Sequence, residues 1–174
     1  MAALFVTALL TVAIHNSAAV PKGTLNSAKV EVERIFSGAS VRVVWVSAIE
    51  RGRFGIHVIL RRQPGGGPGA MAPSALGTTI REDRQQGGSS FVFYERVLKF
   101  AHDHHRSVDV ILAYAIAHEM GHALLRAPAH TPTGLMKAEW SDDDIRHLAR
   151  APQSFTVGQA ELIRSVIEDR LAVR

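Results

Sequence analysis

The segment from Val108 to Leu125 sets the tightest limit on how this chain folds. Gly121 is its only helix breaker, and most of its positions are apolar. A helix that is apolar around its whole circumference belongs inside a protein, with other elements packed around it. Ser107 stands at the N-cap position. Asp109 falls in the first turn, where a negative charge meets the positive end of the helix dipole. Pro128 closes the segment. Into this apolar run are set His118, Glu119 and His122, groups that a buried helix does not carry without partners.

His118-Glu119-Met120-Gly121-His122 matches the pattern H-E-x-x-H. Positions i and i+4 lie one above the other on a helix, with Cβ atoms about 5–6 Å apart. Two imidazoles so placed can each direct a nitrogen at one ion about 2.0–2.1 Å away. Glu119, next to the first imidazole, projects beside the ion and can take a proton from water held there. The chain has no Cys, so a metal site here uses His, Asp and Glu. The motif supplies two ligands, and a catalytic zinc needs a third with one position left open. His130 leads as the third. Glu139, Asp142, Asp143 and Asp144 offer a carboxylate instead, either as that third ligand or to close a purely structural site.

After His130 come Thr131-Pro132-Thr133 and then Gly134-Leu135-Met136. From about Tyr94 to Trp140 the sequence resembles the metzincin clan of zinc peptidases, especially its matrixin-like and archaemetzincin-like members. Their pattern is H-E-x-x-H-x-x-G-x-x-H, followed by a turn that carries a Met beneath the zinc. The resemblance implies one zinc per chain on His118, His122 and His130, with Glu119 as general base and Met136 as the Met of the turn. It implies a peptide or protein substrate laid as an added strand along a sheet edge, here Ser90, Phe91, Val92 and Phe93. The chain departs from the pattern at two positions. Leu125 replaces the family's turning Gly, and Pro128 occupies the position of the third His, so that His130 arrives two residues late. No Tyr follows Met136 as an oxyanion donor; Tyr94 and Tyr114 lie earlier, Tyr114 one turn before His118.

The rest of the chain reads as α+β. Asn26 or Ser27 caps a helix to about Ser37, and Val41–Val46 is a strand. Arg53–Leu60 reads as its hairpin partner across a turn at 48–52. A Gly/Pro-rich loop at 63–69 interrupts regular structure. Strands follow at Leu76–Ile80 and Ser90–Phe93, then a short helix with Tyr94, Val97, Leu98 and Ala101 at helical spacing. Ser141-Asp142-Asp143-Asp144 opens another helix, and Thr156 with Gln159 forms a capping box for a last one, Val157 to about Leu171. The expectation is a small twisted mixed sheet packed on helices, a central motif helix and a helical C-terminal part: one zincin-like domain over residues 20–174. His102-Asp103-His104-His105 reads as a solvated loop before a helix cap.

Residues 1–19 carry no Lys, Arg, Asp or Glu, and the run Ala2–Ile14 is almost wholly apolar but too short to span a bilayer. Ser17-Ala18-Ala19 places small residues at −3 and −1 of a cleavage after Ala19, so this segment reads as a secretory signal. The expected location is then periplasmic or extracellular, with no membrane span after cleavage; without such a signal it is cytoplasmic. The 20 basic and 16 acidic residues are scattered, which points away from a nucleic-acid partner. The chain is expected to act as a monomer. Two other functions fit the motif: a secreted zinc module that binds peptides without cutting them, and a zinc hydrolase for a non-peptide amide or ester.

Overall fold

The computed structural model describes residues 7–65, 72, 74–81, 87–125, 129–148 and 153–172. Ten elements follow in the order β1 (Ala8–Asn16), α1 (Lys22–Ser37), β2 (Val41–Val46), β3 (Gly55–Arg61), β4 (Gly77–Arg81), β5 (Gly87–Phe93), α2 (Tyr94–Asp103), α3 (Val108–Leu124), α4 (Asp142–His147) and α5 (Val157–Ala172). The fold is α+β, with a five-stranded mixed sheet in the order β2-β1-β3-β5-β4. All neighbouring pairs are parallel except β4–β5, which is antiparallel.

β1 corrects the reading of residues 1–19 as a cleavable signal. Ala8–Asn16 lies inside the sheet, in parallel pairing with β2 on one side and β3 on the other. A cut after Ala19 would remove the sole sheet partner of β2 among the described residues. The alternation of β1 is a strand's: Ala8, Leu10 and Val12 are buried while Leu9 and His15 are exposed. Asn16 then turns the chain, accepting from the Val20 backbone N–H and donating to the Val20 carbonyl, both at 2.9 Å. With the turn closed there, α1 begins at Lys22, before the expected caps Asn26 and Ser27.

The expected hairpin of β2 and β3 is also corrected, because β1 lies between them. Register explains how a short link suffices for two strands that run in the same direction. Val12 of β1 is opposite Trp45 near the end of β2 and opposite Ile56 near the start of β3. The chain leaves one strand at the level where it enters the next, so residues 47–54 need only cross β1. Ile49 in that link packs against Gly55, where a Cβ would stand 2.6 Å from its Cδ1.

Leu10 and Val12 of β1, Val41 and Val43 of β2, Ile56, Val58 and Leu60 of β3 and Val92 of β5 share one sheet face by register. They are buried in one core with Val32, Ile35 and Phe36 of α1 and Ile111, Leu112 and Ile116 of α3. α3 is the central helix the sequence predicts, and nearly every residue from Ile111 to Gly121 is buried. It ends at Leu124; Leu125 is extended, with φ −85° and ψ 143°. Pro128, expected to close it, lies outside the described residues. The predicted capping box of Thr156 with Gln159 forms on α5, and Ser141, where a helix start was expected, forms one with Asp144 on α4. Among the described residues no helix is long and apolar enough to cross a membrane.

Candidate metal centre

α3 presents His118 and His122 from successive turns, and their Nε2 atoms lie 3.0 Å apart. The chain returns after α3 to bring His130 Nε2 to 3.0 Å from His122 Nε2. Among the described residues these three form the one cluster of His, Asp and Glu with mutually close donor atoms. The late third His therefore still reaches the first two. Its approach is fixed from α5, where the side-chain amide of the buried Gln159 donates to the Ala129 carbonyl and to Thr131 Oγ1, each at 3.2 Å. The same Gln159 accepts from Thr156 N–H through Oε1, so one side chain caps α5 and anchors the His130 arm. The sequence motif signals only the cap.

The donor chemistry fits a divalent ion such as zinc. His118 Nδ1 faces the Leu135 carbonyl at 2.9 Å. A carbonyl only accepts, so Nδ1 carries the proton and Nε2 turns a lone pair toward the cluster. Burial lowers the pKa of His118, and the adjacent His130 lowers it further. Burial, His118, His130 and Arg81 bring His122 down to about 4, so both imidazoles are neutral at physiological pH. A tetrahedral zinc with bonds of about 2.0–2.1 Å holds its ligand nitrogens about 3.3 Å apart. The 3.0 Å separations are close to that spacing.

Met136 is fully buried against Gly121, the residue before His122. A Cβ on Gly121 would stand 2.5 Å from Met136 Sδ, which explains a glycine within so regular a helix. The turn before it is held from both sides: Leu135 N–H donates to Ser154 O at 2.8 Å, and Thr131 N–H to Met136 O at 2.9 Å. Gly134 adopts φ +80° where a Cβ would meet Ser154 O at 2.7 Å. Trp140 packs edge-on against both His118 and Tyr114. Tyr114 thus borders the site through Trp140.

Glu119 is buried, and its carboxyl lies against β4. Thr79 Oγ1 donates to Glu119 Oε2 and to the Glu119 backbone carbonyl, both at 2.8 Å. Burial raises the carboxyl to about 7, against the opposing pull of the Thr79 hydrogen bond. His118, Glu119, His122 and His130 line one cleft of about 970 Å³, together with Gly77, Thr79 and Arg81 of β4 and with Lys137, Glu139 and Trp140.

The remaining sequence candidates fall elsewhere. Ser90, Phe91, Val92 and Phe93 do not form a sheet edge, since β5 pairs with both β3 and β4. The edge beside the cleft is β4, and Ser90 is wholly buried behind it. Asp144 is engaged by Lys137 and by Ser141, and Asp142 pairs with His104 Nε2 at 3.2 Å. His104 Nδ1 lies 2.8 Å from the Phe100 carbonyl, which ties it to α2. Glu139 lines the cleft from its exposed rim. The roles of Gly77, Thr79 and Arg81 have no local sequence signal, because the register that aims them at α3 depends on β5.

The fold and the site define an α+β protein with a three-histidine cluster and an adjoining buried carboxyl. The chain matches no protein-family model and no curated protein.

Proposed function

We propose that this chain is a zinc-dependent peptidase, metzincin-like in its three-His ligand set and in the Met136 turn. One observation carries the reading: three imidazole nitrogens converge beside a buried carboxyl, in a cleft rimmed by an edge strand. When bound there, zinc supplies Lewis-acid polarisation of a carbonyl and lowers the pKa of water to about 7.

The protein's own groups then divide the remaining work. Leu135, through His118 Nδ1, fixes the tautomer that aims Nε2 into the site. Glu119 takes a proton from the attacking water and delivers it to the amine that leaves as the peptide C–N bond breaks. Among the described residues β4 pairs with β5 alone, so its outer N–H and C=O groups can receive a substrate backbone as an added strand. That recognition carries little side-chain selectivity and suits a peptide or protein substrate. The proposed acting unit is the monomer. The reading carries no cellular location, because β1 removes the ground on which export was expected.

The test is cleavage of a mixed peptide library by zinc-loaded wild type beside Glu119→Ala, with new N-termini counted. Wild type is expected to generate them, and the variant to retain zinc while turning over at least about 100-fold more slowly. A variant as fast as wild type would remove Glu119 from its role. Zinc-loaded wild type that binds peptides and yields no new N-termini would make the site a recognition module.

A further inference from the structure

We propose that Thr79 is a positioning residue that fixes the Glu119 carboxylate at the cleft through a cradle built into β4. The kinetic part rests on the peptidase reading above; the structural part stands on geometry alone.

Thr79, Gly77 and Arg81 alternate along β4, and register with β5 turns them to the same face. Each meets the one turn of α3 that bears the base and the second imidazole. A Cβ on Gly77 would stand 2.6 Å from Glu119 Cγ and 2.8 Å from Oε1, so the carboxyl fills a notch that only glycine leaves open. Thr79 closes the other side of the notch at Oε2, with its single proton shared between that oxygen and the Glu119 carbonyl. Ser90 Oγ, buried behind it, lies 3.3 Å from Thr79 Oγ1. Because the Thr79 proton is committed to Glu119, Ser90 is the donor in that pair. Arg81 Nε donates to the His122 carbonyl at 2.9 Å and holds the strand against the end of that same turn.

A glutamate side chain has several staggered rotamers, and a base that moves among them spends little time where a proton has to be taken. The cradle removes that freedom. It also makes one element responsible for two alignments: the outer edge of β4 would set the substrate register, while its inward side chains set the base. A loss of Thr79 should therefore affect turnover far more than substrate binding or metal content.

The experiment compares full-length, zinc-loaded wild type, Thr79→Val and Thr79→Ser. It measures kcat and KM on a cleaved peptide, zinc per chain, and a crystal structure of each protein. Thr79→Val keeps the shape and removes the hydroxyl. It is expected to lower kcat about 10–100-fold with KM within about twofold and zinc retained, and Thr79→Ser to recover to within about threefold of wild type. In the crystals the carboxylate should leave the Gly77 notch in the Val variant and remain there in the Ser variant. Thr79→Ala carries the same expectations if the Val variant does not fold. Wild-type kcat in Thr79→Val, a carboxylate still seated in the notch, or parallel loss of zinc and activity in both variants would overturn the assignment. Wild type that cleaves no peptide would remove the peptidase reading, and the carboxylate position would still decide the cradle.

Discussion

β1 pairs on both sides, and its Leu10, Val12 and Ala13 have no exposed surface. Among the described residues β4 pairs on one side, antiparallel, and its Ile80 is 57% exposed. Both strands belong to one sheet, yet they serve different ends. β1 carries the sheet: among the described residues it is the strand that joins β2 to β3, and its buried side chains share one core with those of α1. β4 adds little buried area and instead brings Gly77, Thr79 and Arg81 against α3. An interior strand is held by burial, so its sequence answers to packing. An edge strand retains free backbone groups and tolerates polar inward residues, so its sequence can answer to chemistry.

The largest effect that separates the two strands is removal of residues 1–19. A chain that begins at Val20 loses β1 and should show no cooperative unfolding transition by circular dichroism; a native-like transition would mean β1 is dispensable. Leu10→Ala comes next. It is expected to cost about 2–5 kcal/mol in urea unfolding, the range for an aliphatic side chain deleted from a packed core, with zinc binding intact in the folded fraction.

Lys137 lines the cleft and pairs with Asp144, which predicts a smaller, pH-dependent effect. Burial pushes the Asp144 carboxyl up, but hydrogen bonds from Lys137 and Ser141 together outweigh it and hold the pKa at about 2. The folded pKa lies below the unfolded one, so the stabilisation is complete above about pH 4 and is lost as pH falls through about 2. Allowing for solvent screening at this partly exposed pair, the step is about 1 kcal/mol. Urea midpoints of wild type and Asp144→Asn should converge by that amount on acidification; parallel curves would contradict it. Ile80→Thr on β4 is the smallest case and should change stability by no more than about 0.5 kcal/mol. A core-sized loss there would erase the contrast with β1.

The parts of the site that were legible in the sequence are those that one local stretch of chain builds. His118, Glu119 and His122 share two turns of α3, and His130 and Met136 follow within a single return, so spacing alone brings them together. The start of α4 at Ser141 and the capping box of α5 are local in the same way. Strand order was not legible. β2 and β3 meet every local rule for a hairpin, and only the stagger of both against β1 shows that a short link can join parallel strands. β1 itself was misread because an uncharged apolar run followed by small residues suits a leader and an interior strand equally well. The cradle was out of reach for a third reason. Thr79 lies forty residues before Glu119, and its hydroxyl gains meaning only after β5 has set which face of β4 turns inward.

The most direct test of the central claim is the zinc content of the full chain, wild type beside His130→Ala, after dialysis against a zinc-buffered competitor. The three-histidine centre predicts about one zinc per wild-type chain and none held stoichiometrically by the folded variant. Folded wild type that takes up no zinc, or a variant that holds it as tightly as wild type, would contradict the centre and the activity proposed for it.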